Sequence, residues 1–292
     1  MLKLDEKKIR KGKPIGLPYQ GSKKKISKKI IEIIKQNFGT EKPIYDVFGG
    51  GGAITAECLL QGLDVRYNDI DKDITDIFQR VISQDRNYLK TLIISRDEFI
   101  DIVNKDNKTV DDNLKLLINS FGNKRKNYLY GKEHADLKYQ LAVEIIQKHD
   151  VFSGYHHTET YQMFFADIRD CRLSTSERLQ QLQQLQQLQQ LQQLEQLEVT
   201  NLDYKAFSDI EGAIFYLDPP YENTYQYYDG DTFDSVAFYD WAYEMSKNNI
   251  VLISSYDISD PRFKAVYEFK TAKSTLQIGG AGKHHEKLFM VK

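Results

Sequence analysis

Apolar positions recur along this chain in two rhythms. From Ile26 to Phe38, Ile26, Ile30, Ile31, Ile33 and Ile34 crowd one side of a 3.6-residue period, which predicts an amphipathic helix. Pro43-Ile44-Tyr45-Asp46-Val47-Phe48 is instead a short apolar run ending in four glycines, and predicts a strand and a tight turn. Ala53 to Gln61 reads as a helix closed by Gly62, Asp64 to Asp69 as a second strand ending in an acid, and a further helix follows from Ile74. Strand, glycine turn, helix, strand and acid in that order form a βαβ half of a nucleotide-type α/β fold. Glu198 to Asn201, Ala213 to Leu217 and Ile250 to Ser254 predict more strands, with a helix around Trp241 to Met245. Lys287 to Val291 predicts an edge strand, and the residues through about Pro18 read as polar and extended.

The βα rhythm is absent from about 90 to 165, where charges are mixed and aromatics scattered; this predicts an inserted, mainly helical subdomain. Within it, Asn119-Ser120-Phe121-Gly122-Asn123-Lys124-Arg125-Lys126-Asn127-Tyr128 forms a basic, glycine-containing loop with aromatics. The expected organisation is a core of residues 1–90 and 166–292 and an insert of 91–165. The tract 179–198 lies within that core, with leucines at 179, 182, 185, 188, 191, 194 and 197, mostly separated by Gln-Gln. A period of three fits neither a coiled-coil seam nor an α-helix, because each step falls back by about 60°. Leucine and glutamine favour helix all the same. The expectation is a tolerated, functionally neutral extension of an existing helix, with an interaction arm as the alternative.

The formal net charge is −2, so any contact with a polyanion must come from a local basic face. Residues 1–35 offer one, with Lys3, Lys7, Lys8, Arg10, Lys11, Lys13, Lys23, Lys24, Lys25, Lys28, Lys29 and Lys35 opposed by Asp5, Glu6 and Glu32. A solvated helix face and a phosphate-binding surface both fit that cluster. Cys58 and Cys171 are far apart, which argues against a disulfide framework and suits a reducing, cytoplasmic setting. No signal peptide and no apolar run long enough to span a membrane are visible.

Asp218-Pro219-Pro220-Tyr221, directly after an apolar strand, carries the most specific chemistry. As a bland turn, two prolines stop the strand and Asp starts the turn. As a functional element, a carboxylate and a backbone carbonyl accept the two N–H bonds of an amino group conjugated to a purine ring. That holds the nitrogen towards sp³ geometry and turns its lone pair to an electrophile. The prolines rigidify the presenting loop, and Tyr221 can stack on a base held outside a duplex. Asp46 and Phe48 with Gly49, Gly50, Gly51 and Gly52 form a glycine turn opening a helix, where the backbone can approach a ligand closely. The turn lacks the Lys-Ser/Thr ending of a P-loop, which argues against ATP. Asp69 is placed to accept from ribose hydroxyls; a nicotinamide dinucleotide would fit that acid but leave residues 218–221 unexplained.

Tyr19-Gln20-Gly21-Ser22-Lys23, Phe48-Gly49-Gly50-Gly51-Gly52 and Asp218-Pro219-Pro220-Tyr221, in that order, resemble the Dam-type (D12 class) family of N6-adenine-specific DNA methyltransferases. Ser22 stands where the family often has a second glycine, and Gly52 extends the glycine run. The Ser120-Phe121-Gly122 loop and Ser254-Ser255-Tyr256 are also similar to it, so the resemblance spans nearly all of the chain except the Leu-Gln tract. It implies a Rossmann-like core with a helical target-recognition insert, and methyl transfer from S-adenosylmethionine to adenine N6 in double-stranded DNA by base flipping. It further implies that Tyr19, Lys23, Asp46, Phe48, Gly49, Gly51, Asp69 and Asp218 bind the cofactor, with Asp218 to Tyr221 catalytic and no metal or covalent intermediate. Lys124, Arg125 and Lys126 become candidates for DNA contact. The expected protein is a monomer, with a cognate restriction endonuclease as a candidate partner.

Three rivals stand beside that expectation. N4-cytosine methylation is disfavoured by Asp rather than Ser at 218; the others are an RNA substrate and a catalytically silent DNA or cofactor binder. No Pro-Cys pair occurs, against C5-cytosine chemistry through a thiolate. His156-His157 and His284-His285 lack a zinc pattern. Tyr225, Tyr227 and Tyr228 fit either a lid over the target base or a surface loop.

Overall fold

A computed structural model describes residues 1–19, 21–168, 179–194, 197–222, 233–273 and 285–292. Gln20, Cys171, His284, and the proposed lid residues Tyr225, Tyr227 and Tyr228 lie outside the described residues. In chain order the strands are β1 (Ile44–Asp46), β2 (Val65–Asn68), β3 (Val199–Thr200), β4 (Ile214–Leu217), β5 (Ile250–Ser255), β6 (Phe263–Lys273) and β7 (His285–Val291). The α-helices are α1 (Ser27–Phe38), α2 (Ala53–Leu60), α3 (Lys72–Ser83), α4 (Arg86–Lys90), α5 (Arg96–Val103), α6 (Val110–Ile118), α7 (Lys132–Lys148), α8 (Glu159–Ile168), α9 (Gln180–Leu191) and α10 (Ser235–Met245). The chain divides into two compact units, one of residues 1–14, 23–75 and 197–292, the other of 15–22 and 76–196.

The first unit holds one seven-stranded sheet in the order β3-β2-β1-β4-β5-β7-β6. The five strands from β3 to β5 run parallel, and β7 pairs antiparallel with both β5 and β6. This is the α/β fold expected, with one correction. The C-terminal strand is not at the edge: β7 sits between β5 and β6, and β6, which the apolar pattern did not announce, takes the outer place. An interior position explains why Leu288 and Phe289 are both buried, on opposite faces.

Both faces of the sheet are covered, so β4 reads as an unbroken apolar run rather than an alternation. Ile214 and Tyr216 join the core formed with Ile30, Ile31, Ile33 and Ile34 of α1. Phe215 and Leu217 join the opposite core with Phe238 and Ala242 of α10. The N-terminal segment is tied down rather than loose: the Leu2 N–H donates to Val266 O, and Arg10 makes a two-pronged pair with the buried Glu57 at 2.7 and 2.8 Å. Part of the basic cluster is used internally, while Lys3, Lys7, Lys8, Lys11, Lys13 and Lys25 are exposed. Lys29 pairs with Glu6, Lys35 with Glu32, and Lys28 donates to Gly12 O.

The second unit contains α4 to α9, with α3 crossing the division. The starts of α5 and α6 carry side-chain caps: Ser95 accepts from Glu98 N, and Thr109 with Asp112 forms a reciprocal capping box. The compact unit is wider than residues 91–165, since it takes in the Leu-Gln helix. That helix is not a projecting arm. Leu182, Leu185, Leu188 and Leu191 are all fully buried, against α4, α6 and the turn Val151–Ser153. A backward drift of about 60° per leucine spreads four of them over about half the circumference. A helix enclosed on several sides accepts that pattern, whereas a surface helix would expose half of it.

Candidate active site

The carboxyl ends of β1, β2 and β4 bring the sequence-predicted acids of the first unit together, as parallel strands in an open α/β sheet do. The β1–α2 turn has the geometry its glycines suggest. Gly50 and Gly52 take φ of 47° and 68°, and Gly52 caps α2 in the left-handed region. Gly49 is required for a different reason: a Cβ there would lie 2.3 Å from the Tyr67 ring. Its N–H donates to Asn68 O at 2.8 Å, drawing the turn against the end of β2. Gly51 is buried in the same turn.

Asp69, buried at the end of β2, accepts from Gly50 N at 2.7 Å through one oxygen and from Asp71 N at 2.8 Å through the other. The acid therefore fixes the turn while both oxygens keep lone pairs. Burial raises its carboxyl to about 6 despite those bonds. Asp46 is buried and faces inward: its Oδ2 accepts from Thr55 N at 3.1 Å and Thr55 Oγ1 at 2.7 Å, stitching β1 to α2. Burial pushes Asp46 to about 7, with Asp218 and Asp69 adding to the rise. Phe48 packs among Tyr204, Phe233 and Phe238, with ring centroids 5.6 Å from Phe238.

Asp218 follows β4 directly, with Pro219 buried beneath the loop. Its Oδ1 takes the Lys23 ammonium at 2.9 Å and faces the Tyr221 hydroxyl at 3.0 Å. Among the described residues no hydrogen bond reaches Oδ2. Lys23 also donates to the Tyr221 hydroxyl at 2.6 Å. Burial works against the Lys23 charge, but Asp218 and then Glu286 hold its ammonium above the ordinary value. Burial raises Asp218 to about 6; Lys23 opposes the rise and Glu286 adds to it. The Tyr221 hydroxyl is held well above its usual range, first by burial and then by the two carboxylates, so it stays neutral. Its ring meets Tyr256 edge-on at 4.8 Å.

Glu286, on β7, escaped the sequence reading. Its Oε1 accepts from Ser254 Oγ at 2.6 Å and from the Tyr221 hydroxyl, and lies 3.6 Å from Lys23 Nζ. The only signal was an acid opening an apolar strand, and that strand was expected at the edge. Lys23 thus joins Asp218 and Tyr221 across nearly 200 positions of sequence. Tyr19, from the same motif, belongs to the second unit.

The basic loop of the second unit is an ordered turn. Phe121 N donates to Asn127 O at 2.8 Å, and Arg125 N donates to Ser120 Oγ at 2.9 Å. Gly122, Asn123 and Arg125 all take positive φ. Lys124, Lys126 and Phe121 are exposed, and Arg125 is half-buried. Cys58 is buried and unpaired, without the exposure a nucleophile needs. Among the described residues no group of three or more His, Cys, Asp or Glu side chains could hold a metal ion, and no helix is long and apolar enough to cross a membrane.

The family of D12 class N6 adenine-specific DNA methyltransferases matches this chain over residues 19–274. A search of curated proteins found no match.

Proposed function

This chain belongs to the D12 class N6 adenine-specific DNA methyltransferases, and from that premise we propose that the acidic carboxyl ends of its parallel strands bind S-adenosylmethionine and present adenine N6 to it. The reaction itself, methylation of adenine in DNA, comes with the family. The cofactor supplies the methyl group as a sulfonium cation. The residues present fit such a group. A side-chain-free turn at Gly49 to Gly52 admits close backbone approach, and Asp69 keeps acceptor capacity for ribose hydroxyls. Three acids, the buried Asp46 and Asp69 and the partly buried Asp218, have carboxyls raised by desolvation, a cost that a neighbouring cation relieves. Asp46 acts indirectly, by fixing α2 behind the turn, and Phe48 by packing beneath it.

The observation that carries the reading is the division of labour within Asp218. One oxygen is held by the Lys23 ammonium beside the Tyr221 hydroxyl, which fixes the carboxylate's orientation; the other is left to accept an N–H of the target amino group. Pro219 and Pro220 keep the loop carbonyls rigid for the second N–H. As the methyl group transfers, positive charge develops on N6, and Asp218 stabilises it. Tyr221, anchored through its hydroxyl, offers its ring to the flipped adenine. Tyr19 contributes to cofactor binding by resemblance, and Lys124, Arg125 and Lys126 contact DNA within a target-reading segment of 91–165. The chain's size suits a monomer, and a cognate restriction endonuclease is the partner such an enzyme would have.

The test is modified-base sequencing of DNA from a methylation-free host. Expression of the wild type should yield N6-methyladenine in one sequence context. Asp218→Ala should lower the rate by about a hundredfold or more. Full activity in that variant, with cofactor binding unchanged, would refute the role of Asp218.

A further inference from the structure

Two carboxylates and one ammonium meet at the end of β4, and their charges do not cancel. Lys23 lies 2.9 Å from Asp218 Oδ1 and 3.6 Å from Glu286 Oε1. Paired with Asp218 alone, it would neutralise the acid on which the reaction depends. Glu286 supplies the second negative charge. It comes from β7, the strand inserted between β5 and β6, and is fixed there by the Ser254 hydroxyl at 2.6 Å. The Tyr221 hydroxyl lies between the two carboxyl groups and stays neutral, so in this cluster two acidic side chains face a single ammonium.

We propose that Glu286 is a positioning residue that serves as the counter-charge to Lys23. It frees the charge of Asp218 for the cationic methyl donor and for the positive charge that moves from sulfur to N6 during transfer. Lys23 is then an orienting group, able to hold Asp218 and Tyr221 in place without cancelling Asp218 electrostatically. Buried charges interact over several ångströms with little screening, so one carboxylate more or less in this cluster is felt by a neighbouring cation. The proposal rests on the cofactor site inferred above and adds a residue and a charge rule to it.

The rule is tested by comparing S-adenosylmethionine, which is cationic at sulfur, with S-adenosylhomocysteine, its neutral thioether counterpart. Calorimetric affinities for both are measured on the wild type and on E286Q, K23M and K23M/E286Q. E286Q keeps the side chain's shape and an acceptor for Ser254 but removes the charge. It should lower the preference for the cationic ligand over the neutral one by on the order of tenfold. K23M should raise that preference, and the double variant should return towards the wild-type ratio. Single-turnover methylation by E286Q should slow with the KM for DNA unchanged. A purely structural Glu286 would weaken both ligands alike and leave their ratio fixed. If E286Q does not fold, K23M against K23M/E286Q isolates the same charge, and equal ratios in that pair overturn the proposal. A wild type that binds neither ligand and methylates nothing overturns the underlying reading as well. A wild type that binds and methylates, with ratios indifferent to residue 286, overturns the role of Glu286 alone.

Discussion

The raised carboxyls at the ends of the parallel strands make opposite predictions for activity and for stability. In the proposed mechanism transfer needs Asp218 ionised, and burial pushes its carboxyl from the ordinary 3.8 up to about 6. The kcat/KM for DNA should therefore rise with pH through an apparent value of about 6, as a pH–rate profile would show. Stability runs the other way. In the unfolded chain Asp46, Asp69 and Asp218 lose their protons near 3.8; in the fold they hold them up to about 7, 6 and 6. Between those values the folded state binds more protons, so these three groups make it less stable as pH rises from about 4 to 7. Urea midpoints across that range, with and without S-adenosylmethionine, check this: the ligand should flatten the decline. A profile flat through pH 6 would show that Asp218 does not control the rate.

Among the elements, α9 departs furthest from its sequence impression. A three-residue repeat looks like a neutral addition, yet each leucine from 182 to 191 is fully buried. Leu185→Ala should cost about 2 to 5 kcal/mol by cavity formation. Gln190→Ala, on a partly exposed side chain, should stay within about 0.5 kcal/mol. Denaturant unfolding of the two variants separates a core helix from a tolerated insertion; equal, small effects would restore the neutral reading. The helix also has a polar anchor. The buried Gln181 donates to Tyr128 Oη at 3.2 Å and bonds Asn119, so it braces both residues that flank the basic loop.

For the molecule as a whole, a net charge of −2 gives no global attraction to DNA, and Arg10, Lys29 and Lys35 of the N-terminal basic cluster are paired internally. Lys3, Lys7, Lys8, Lys11, Lys13 and Lys25 stay exposed, and the loop bearing Lys124 and Lys126 is a second exposed basic feature, on an ordered turn. If these two lysines contact phosphates, Lys124→Ala and Lys126→Ala should each reduce the salt slope of DNA binding by about 1, with S-adenosylmethionine affinity unchanged. Fluorescence anisotropy across a salt series measures that slope; an unchanged slope would move the DNA contact elsewhere.

The parallel half of the sheet and the gathering of Asp46, Asp69 and Asp218 at the carboxyl ends of its strands were legible in the chain, because they rest on local rules. Unbroken apolar runs mark strands buried on both faces, glycines mark the turn, and Asp218-Pro219-Pro220-Tyr221 sits where a strand must stop. What tertiary structure alone decided was pairing at long range. β7 entered the sheet between β5 and β6, although nothing local distinguishes an interior antiparallel strand from an edge one. That placement delivers Glu286 to Lys23, a contact between residues 263 positions apart. The Leu-Gln helix became core because neighbouring helices enclose it, a fact that a repeat of three cannot encode. Periodicity and motif record what each segment can do; which charges face one another is settled only when distant segments share a buried space.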